Sequence, residues 1–166
     1  MGIIATDTST RYDPPPEDTY PAVCVDVVDL GEIESQYAGE TRLRHVVKLI
    51  WQIDYLREDG LRYELSRRFT LSLHEKAALR GFLERWRGKR FTAEELKGFD
   101  LERILGVNGQ LQVLHNTSID GKVWANVETV TPIIRGQEKL APTNYIRAQD
   151  RVEAPDKDNP SDAPEF

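Results

Sequence analysis

Alternation of apolar and polar residues, interrupted once by a helical pattern, constrains the fold of this chain more than any other feature. A period of two is typical of a β-strand that has one face in a core. Five segments have this period and predict strands: residues 20–30, 42–55, 61–71, 109–115 and 122–131. A helical pattern separates the third segment from the fourth, so the predicted order is three strands, a helical segment and two strands.

The helical segment carries its own boundary signals. Ser72 and Glu75 have the spacing of a capping box, which predicts a helix that starts there and ends at Gly88. Thr92 and Glu95 repeat this spacing and predict a second, shorter helix. The segment therefore predicts one main helix followed by a smaller one.

A mostly β chain with its main helix in this position has the element order of a five-stranded Greek-key barrel of the OB type. An antiparallel sandwich with an inserted helix is the alternative. Residues 31–41 are polar and are predicted to form a long loop that carries Tyr37. We expect three parts: a flexible N-terminal arm (1–19), an OB-fold domain (20–135) and a disordered acidic C-terminal tail (136–166).

The net charge of −6 is concentrated near the two ends of the chain. Residues 1–20 carry −3 and residues 152–166 carry −4, which leaves +1 for residues 21–151. The predicted domain is thus nearly neutral, and a basic surface can be masked in the total.

Nothing in the chain predicts contact with a membrane. No apolar run approaches membrane-spanning length, and residues 1–13 lack the basic and apolar regions of a signal peptide. The single cysteine, Cys24, lies in an alternating strand and is expected to be a small buried apolar residue. We therefore expect a cytoplasmic protein.

The usual enzyme signatures are missing from the sequence. There is no phosphate-binding glycine loop, no dinucleotide fingerprint, no HExxH and no GxSxG. His45, His74 and His115 lie on different predicted elements without a cysteine pair, which disfavours a zinc site. We expect a protein that is not an enzyme and needs no cofactor or metal; a metal-dependent nuclease is the enzymatic alternative.

Cations and aromatic residues on the second and third strands instead suggest a surface for single-stranded DNA. Such binding needs cations along the phosphates and aromatic faces for the bases. Trp51 shares a strand face with apolar residues and is expected to be buried. The candidate DNA-binding residues are Arg42, Arg44, Lys48, Arg62, Arg68 and Lys122 for phosphates, and Tyr37, Tyr55, Tyr63 and Trp124 for bases.

A second basic group surrounds the end of the main helix. Cations there complement the helix dipole and often do nothing else, which is the interpretation we prefer for Arg80 and Arg85. Arg87, Lys89 and Arg90 could instead bind phosphates or hold the acidic tail when DNA is absent.

Residues 152–166, VEAPDKDNPSDAPEF, combine acid, proline and a final aromatic residue. The segment cannot bury enough apolar surface to offset the entropy of ordering, so we expect it to be disordered. It resembles the tails of bacterial and phage single-stranded DNA-binding proteins, which recruit replication partners. That resemblance makes Asp158, Asp162, Glu165 and Phe166 the candidate partner-binding residues; an ordinary solubilising tail is the alternative.

The block SRRFTLSLHEKAALRGFLERWRGKRFTAEELKGFDLERILG, residues 66–106, is similar to a family of phage and prophage proteins from replication and recombination gene neighbourhoods. Residues 20–31 and 124–133 fit the same family. The resemblance implies a single-stranded DNA-binding or replication protein with an OB-like fold. It supplies no set of binding residues.

The resulting prediction is a phage protein of the bacterial host cytoplasm. It binds single-stranded DNA largely independently of sequence during replication or recombination, and its tail recruits a replication or recombination protein. The alternative is a phage interaction protein that binds a host protein, such as a defence or replication factor. Open strand edges are compatible with a homodimer.

Overall fold

The computed structural model describes residues 13–151, which form a mostly β structure around one five-stranded antiparallel sheet. The sheet order is β3-β2-β1-β4-β5. The strands are β1 (Asp18–Tyr37), β2 (Glu40–Leu56), β3 (Arg62–Thr70), β4 (Asn108–Thr117) and β5 (Val123–Thr131). The predicted succession of three strands, a helical segment and two strands is confirmed. The disorder predicted for residues 1–12 and 152–166 concerns residues outside the described part.

Two helices and a short 3-10 turn connect β3 to β4. They are α1 (Ala78–Arg87), α2 (Ala93–Lys97) and the 3-10 turn Leu101–Ile104. Gly88 ends α1 in the left-handed conformation, at φ 73°, as predicted. The capping box at Thr92 and Glu95 is also present. No helix within residues 13–151 is long and apolar enough to cross a membrane.

The capping box predicted at Ser72 and Glu75 is wrong. The Ser72 hydroxyl accepts a hydrogen bond from the His74 amide (3.1 Å), which closes a local turn. α1 begins only at Ala78, and its N-cap residue, Ala77, has no side-chain cap. A serine hydroxyl can accept a hydrogen bond from a nearby amide in a turn as well as at the start of a helix. Here Ser72 does so in a turn.

The long loop predicted for residues 31–41 is also wrong, because β1 and β2 continue through it as a hairpin. The connection is Ala38-Gly39, and both residues have positive φ, 52° and 81°, as in the tight turns that favour hairpins. β3 pairs with β2 only from Val46 onward, and β4 pairs with β1 only up to Val23. Residues 30–44 therefore project as a two-stranded ribbon beyond the rest of the sheet.

The hydrophobic core lies between the inner face of the sheet and α1. Trp51 has no exposed surface and packs its ring 5.6 Å from Phe82 and 5.8 Å from Trp86. Its predicted burial is confirmed, as is that of Cys24. Gly109 lets β4 approach this cluster, since an added Cβ would lie 2.8 Å from Nε1 of Trp86.

The two outer strands, β3 and β5, face each other without a ladder of backbone hydrogen bonds among the described residues. Arg67 spans the gap instead. Its Nη1 donates to the carbonyl oxygens of Val127 (3.1 Å) and Glu128 (2.8 Å). One side chain thus connects the edges of the sheet.

Candidate nucleic-acid interface

The sheet has an outer face, opposite the core, whose composition depends on a β-bulge in β1. Cys24 pairs with Trp51 and points inward, whereas Asp26 pairs with Ile50 and points outward, although both are even-numbered. One extra residue at the bulge reverses the alternation of the strand. The bulge therefore places a carboxylate among the outward side chains of β1.

One half of the outer face is covered by a segment that follows β5. We call residues 137–151 the C-terminal segment. Asn108 exchanges two hydrogen bonds with the main chain of Leu140, at 3.0 Å and 2.7 Å. Gln52 does the same with Thr143, at 2.7 Å and 2.9 Å. Two side-chain amides thus hold the segment as a neighbouring strand would.

Asp26 is the centre of this covered half, and its side chain is 1% exposed. Its carboxylate accepts four hydrogen bonds, from the Tyr145 hydroxyl (2.7 Å), the Ala148 amide (2.8 Å), Nε of Arg147 (3.1 Å) and the Val27 amide (2.8 Å). Burial alone would raise the pKa of Asp26, but these hydrogen bonds outweigh it and hold the pKa below its usual value. The carboxylate is therefore ionised at neutral pH.

These contacts extend the packed part of the chain beyond the boundary predicted at residue 135. Residues 136–151 were predicted to be disordered because their composition is polar, yet Thr143, Tyr145 and Arg147 have specific partners on the sheet. The described part of the predicted N-terminal arm is packed as well. Pro16 accepts from the Tyr20 hydroxyl at 2.6 Å.

The other half of the outer face is basic. Lys48 on β2 lies directly opposite Arg68 on β3. Nη1 of Arg44 donates to the Thr70 hydroxyl (2.9 Å) one pair further along. Neither Lys48 nor Arg68 takes part in an ion pair within residues 13–151. Their nearest neighbours on this face carry no acid: Val28, Val46, Ile50, Ser66 and Thr70.

A groove of about 480 Å³ begins beside this pair and runs towards the start of α1. Its charged lining is cationic, and we call Arg44, Lys48, Arg68 and Lys76 the basic surface. The groove is lined by Arg44, Arg67, Arg68, Phe69, Thr70, Ser72, His74, Lys76, Ala77 and Ala78.

The aromatic candidates lie at the opposite end of β3. A cleft of about 600 Å³ brings Tyr63, Lys122 and Trp124 together between β3 and β5. Trp124 is 43% exposed, so much of its ring is open to a ligand. Tyr55 lies beside the cleft, with its ring centroid 5.8 Å from that of Tyr63. Three candidates are thus brought into one cleft, with a fourth against its wall.

Other candidates have roles that compete with DNA contact. Nη1 of Arg62 donates to the carbonyl oxygen of Ala141 (2.7 Å), which holds the C-terminal segment. The Tyr63 hydroxyl donates to the carbonyl oxygen of Asp13 (2.6 Å). Arg42 forms an exposed ion pair with Glu40 in the ribbon.

The remaining candidates are placed only in part or not at all. Tyr37 ends β1 at the tip of the ribbon, and its side chain lies outside the described atoms. The candidate tail residues, Asp158, Asp162, Glu165 and Phe166, lie outside the described residues.

The basic groove and the aromatic cleft follow the same strand. Residues 67–70 line the groove, and residues 63–65 line the cleft. From Tyr63 to Thr70 an extended strand covers about 23 Å. A flexible polyanion with planar bases could contact both sites at once along β3.

Some residues that were not predicted as site residues nevertheless have a recognisable signal in the local sequence. Asp26 is the only acid in the apolar run AVCVDVV, and a carboxylate in such a run requires a partner. Arg147 was that partner, 121 residues away, and nothing local connects the two. Lys76 had no signal, because its place in the groove depends on the turn that delays α1.

The described residues, 13–151, contain no group of three or more His, Cys, Asp or Glu side chains that could hold a metal ion. No protein-family model matches the chain, and no curated protein matches its sequence.

Proposed function

We propose that this chain is a phage single-stranded DNA-binding protein without enzymatic activity, built on an OB-type barrel. The observation that carries the proposal is the Lys48–Arg68 pair. Like charges directly opposite each other on neighbouring strands are destabilising, and none of the nearest neighbours of this pair on the outer face is an acid. A site that destabilises the fold when empty and has no counter-ion within the described part of the chain suits a bound polyanion.

The aromatic cleft supports single strands over duplexes. Stacking on an aromatic side chain needs an unpaired base and contributes about 1–3 kcal/mol per base. Trp124 is exposed, and Lys122 lines the same cleft, where its ammonium group would contact a phosphate. Cations contact phosphates and aromatic rings stack on base faces, and neither contact forms hydrogen bonds to the base edges that differ between bases. We therefore expect little sequence preference.

The strand arrangement supports the OB-type barrel. β1 lies between β2 and β4, and Arg67 connects β3 to β5, where such a barrel is closed or nearly closed. The proposed DNA surface then comprises β2, β3 and the turn after β4. The acidic segment with Phe166 would recruit a replication or recombination protein.

The test is fluorescence anisotropy of a labelled thirty-base oligothymidine, titrated at several salt concentrations, with duplex DNA and RNA as competitors. We expect tight binding whose logarithm falls linearly with the logarithm of salt concentration. Lys48→Ala with Arg68→Ala should weaken binding and reduce the slope by about 1.4, at roughly 0.7 per phosphate contact. Trp124→Ala should weaken binding with the slope unchanged.

The matched control is Lys97→Ala, which removes an exposed cation on α2 that is paired with Glu94. It should leave both affinity and slope unchanged. Absence of binding by the wild-type chain at low salt would reject the proposal. An equal loss in the Lys97 variant would reject the basic surface as its site.

A second candidate function, docking to a host protein, is favoured by the projecting ribbon. Both of its edges are unpaired with other strands of the sheet, and Leu43 near its base is 62% exposed. Leu43→Asp should abolish capture of a host protein while leaving oligothymidine binding intact. If no host protein is captured by the wild-type chain, this candidate is rejected.

A further inference from the structure

A small apolar pocket lies outside the proposed DNA surface, between α1, the residues on either side of α2 and the 3-10 turn. We call it the helix pocket. Trp86, Phe91, Phe99 and Ile104 form its walls, and Arg87 and Arg103 flank it. Its volume is about 180 Å³, below the roughly 300 Å³ at which small-molecule sites begin. A space of this size suits one large side chain.

The arginines of the helix pocket point to an acidic occupant. Nη2 of Arg87 is paired with Glu95 at 2.7 Å, but its Nη1 is buried and has no hydrogen-bond partner within residues 13–151. A buried donor without an acceptor destabilises the fold, because nothing replaces the hydrogen bond that it made with water. The Arg103 guanidinium lies 5.3 Å from the centre of the Phe99 ring and has no carboxylate partner in the described part of the chain. An aromatic residue with an adjacent carboxylate would satisfy both features.

The chain carries such a sequence within reach. Residues 152–166 have a net charge of −4, and their only aromatic residue, Phe166, follows Glu165. Arg147 is paired with Glu102, the residue before Arg103, so the described chain reaches the 3-10 turn only four residues before it ends at Arg151. Fifteen further residues can span up to about 50 Å.

We propose that Phe166 docks in the helix pocket of its own chain, with the Glu165 carboxylate facing Arg87 and Arg103. Phe166 then fills the space between the aromatic walls, and Glu165 supplies the missing acceptor. A partner recruited through Phe166 must displace it from the pocket. This consequence rests on the proposed recruitment, whereas the docking itself does not depend on DNA binding.

The test uses the full chain with a diazirine-bearing phenylalanine at position 166. After irradiation, mass spectrometry should locate the cross-links within residues 83–107, and the product should migrate as a single chain. Arg103→Glu should lower the yield several-fold; Arg103 is exposed, so the fold should tolerate the change. Arg90→Glu, an equal change of charge outside the pocket, should have little effect.

Cross-links elsewhere on the molecule, between two chains, or absent altogether would overturn the proposal. An equal loss in the Arg90 variant would also overturn it, because general attraction to a basic region would then explain the yield. Lys48→Ala with Arg68→Ala should leave the cross-link unchanged. Failure of the docking and failure of DNA binding are therefore observed separately.

Discussion

The two halves of the outer face differ in whether their polar side chains have partners. In the covered half, a buried carboxylate accepts four hydrogen bonds, and Gln52 is 2% exposed with both ends of its amide in use. In the basic half, Lys48 and Arg68 lie side by side, and neither has a carboxylate partner within residues 13–151.

This difference distinguishes polar groups that stabilise the fold from polar groups that are available to bind a ligand. A buried polar group persists only if its partners are present, so a complete set of partners indicates a structural role. The half-buried Lys48 and the exposed Arg68 repel each other, so this pair does not stabilise the fold. Changes in the covered half should therefore alter stability, and changes in the basic half should alter binding.

The largest expected effect is that of Asp26→Ala. It leaves Arg147 and the Tyr145 hydroxyl without their acceptor, and removing one partner of a buried pair costs about 3–5 kcal/mol. Urea denaturation should give a loss of about 3 kcal/mol. Glu102→Gln, which removes only the exposed partner of Arg147, should cost less than about 1 kcal/mol. A small loss for Asp26→Ala would contradict the structural role of the covered half.

Protonation of Asp26 at acidic pH should also destabilise the covered half. The pKa of Asp26 is lower in the folded chain than in the unfolded one, so its ionisation stabilises the fold above the ordinary pKa of about 3.9. That contribution decreases as the pH falls below this value and is lost once the pH passes the folded pKa. The Tyr145 ring resonances should shift over this acidic range and stay constant from pH 5 to 7. In Asp26→Asn the acid shift should disappear; its persistence would assign it to another group.

Gln52→Leu should have an intermediate effect. The apolar side chain keeps the volume but leaves the amide and carbonyl groups of Thr143 without partners, which costs about 1–3 kcal/mol. Hydrogen exchange of the Thr143 amide should accelerate more than that of amides in β4. If hydrogen exchange accelerates equally for all amides of the sheet, the C-terminal segment does not detach from the sheet independently of global unfolding.

The smallest effect on stability is expected for Arg68→Glu in the basic half. The change replaces a repulsive pair with Lys48 by an attractive one, so the free energy of unfolding should stay the same or rise by about 0.2–1 kcal/mol. Oligothymidine affinity should fall in the same variant. A clear loss of stability would show that Arg68 maintains the fold, and the contrast between the halves would fail.

Local signals predicted much of the fold. Alternation placed all five strands, and the Thr92–Glu95 box and Gly88 fixed helix boundaries, because each depends on residues close in sequence. The ribbon was missed because residues 31–41 are polar on both faces. A hairpin that buries neither face leaves no periodic pattern, although residues 32–37 pair without a break with residues 40–45.

The covered half was missed for a different reason. Asp26 and Gln52 acquire their partners from residues that lie 91 to 122 positions later in the chain. Composition predicts disorder for a polar segment such as 136–151. The segment is ordered because its side chains and main chain complement a surface of the sheet that is distant in sequence. For the basic half, the sequence identified Lys48 and Arg68 as candidates, but their opposition depends on the strand register.

The bulge between Cys24 and Asp26 has a consequence for how the gene can change. With the same residues in a regular strand, every side chain beyond Cys24 in β1 would exchange faces, and Asp26 would enter the core. In-frame loss of the codon for Val25, the unpaired residue, should be tolerated, because it removes the bulge and leaves Asp26 opposite Ile50. Gain or loss of codons at Ala38-Gly39 would only lengthen or shorten the ribbon. Descendants of this sequence should differ in length at the hairpin tip and keep Asp26 opposite Ile50, with or without the extra residue.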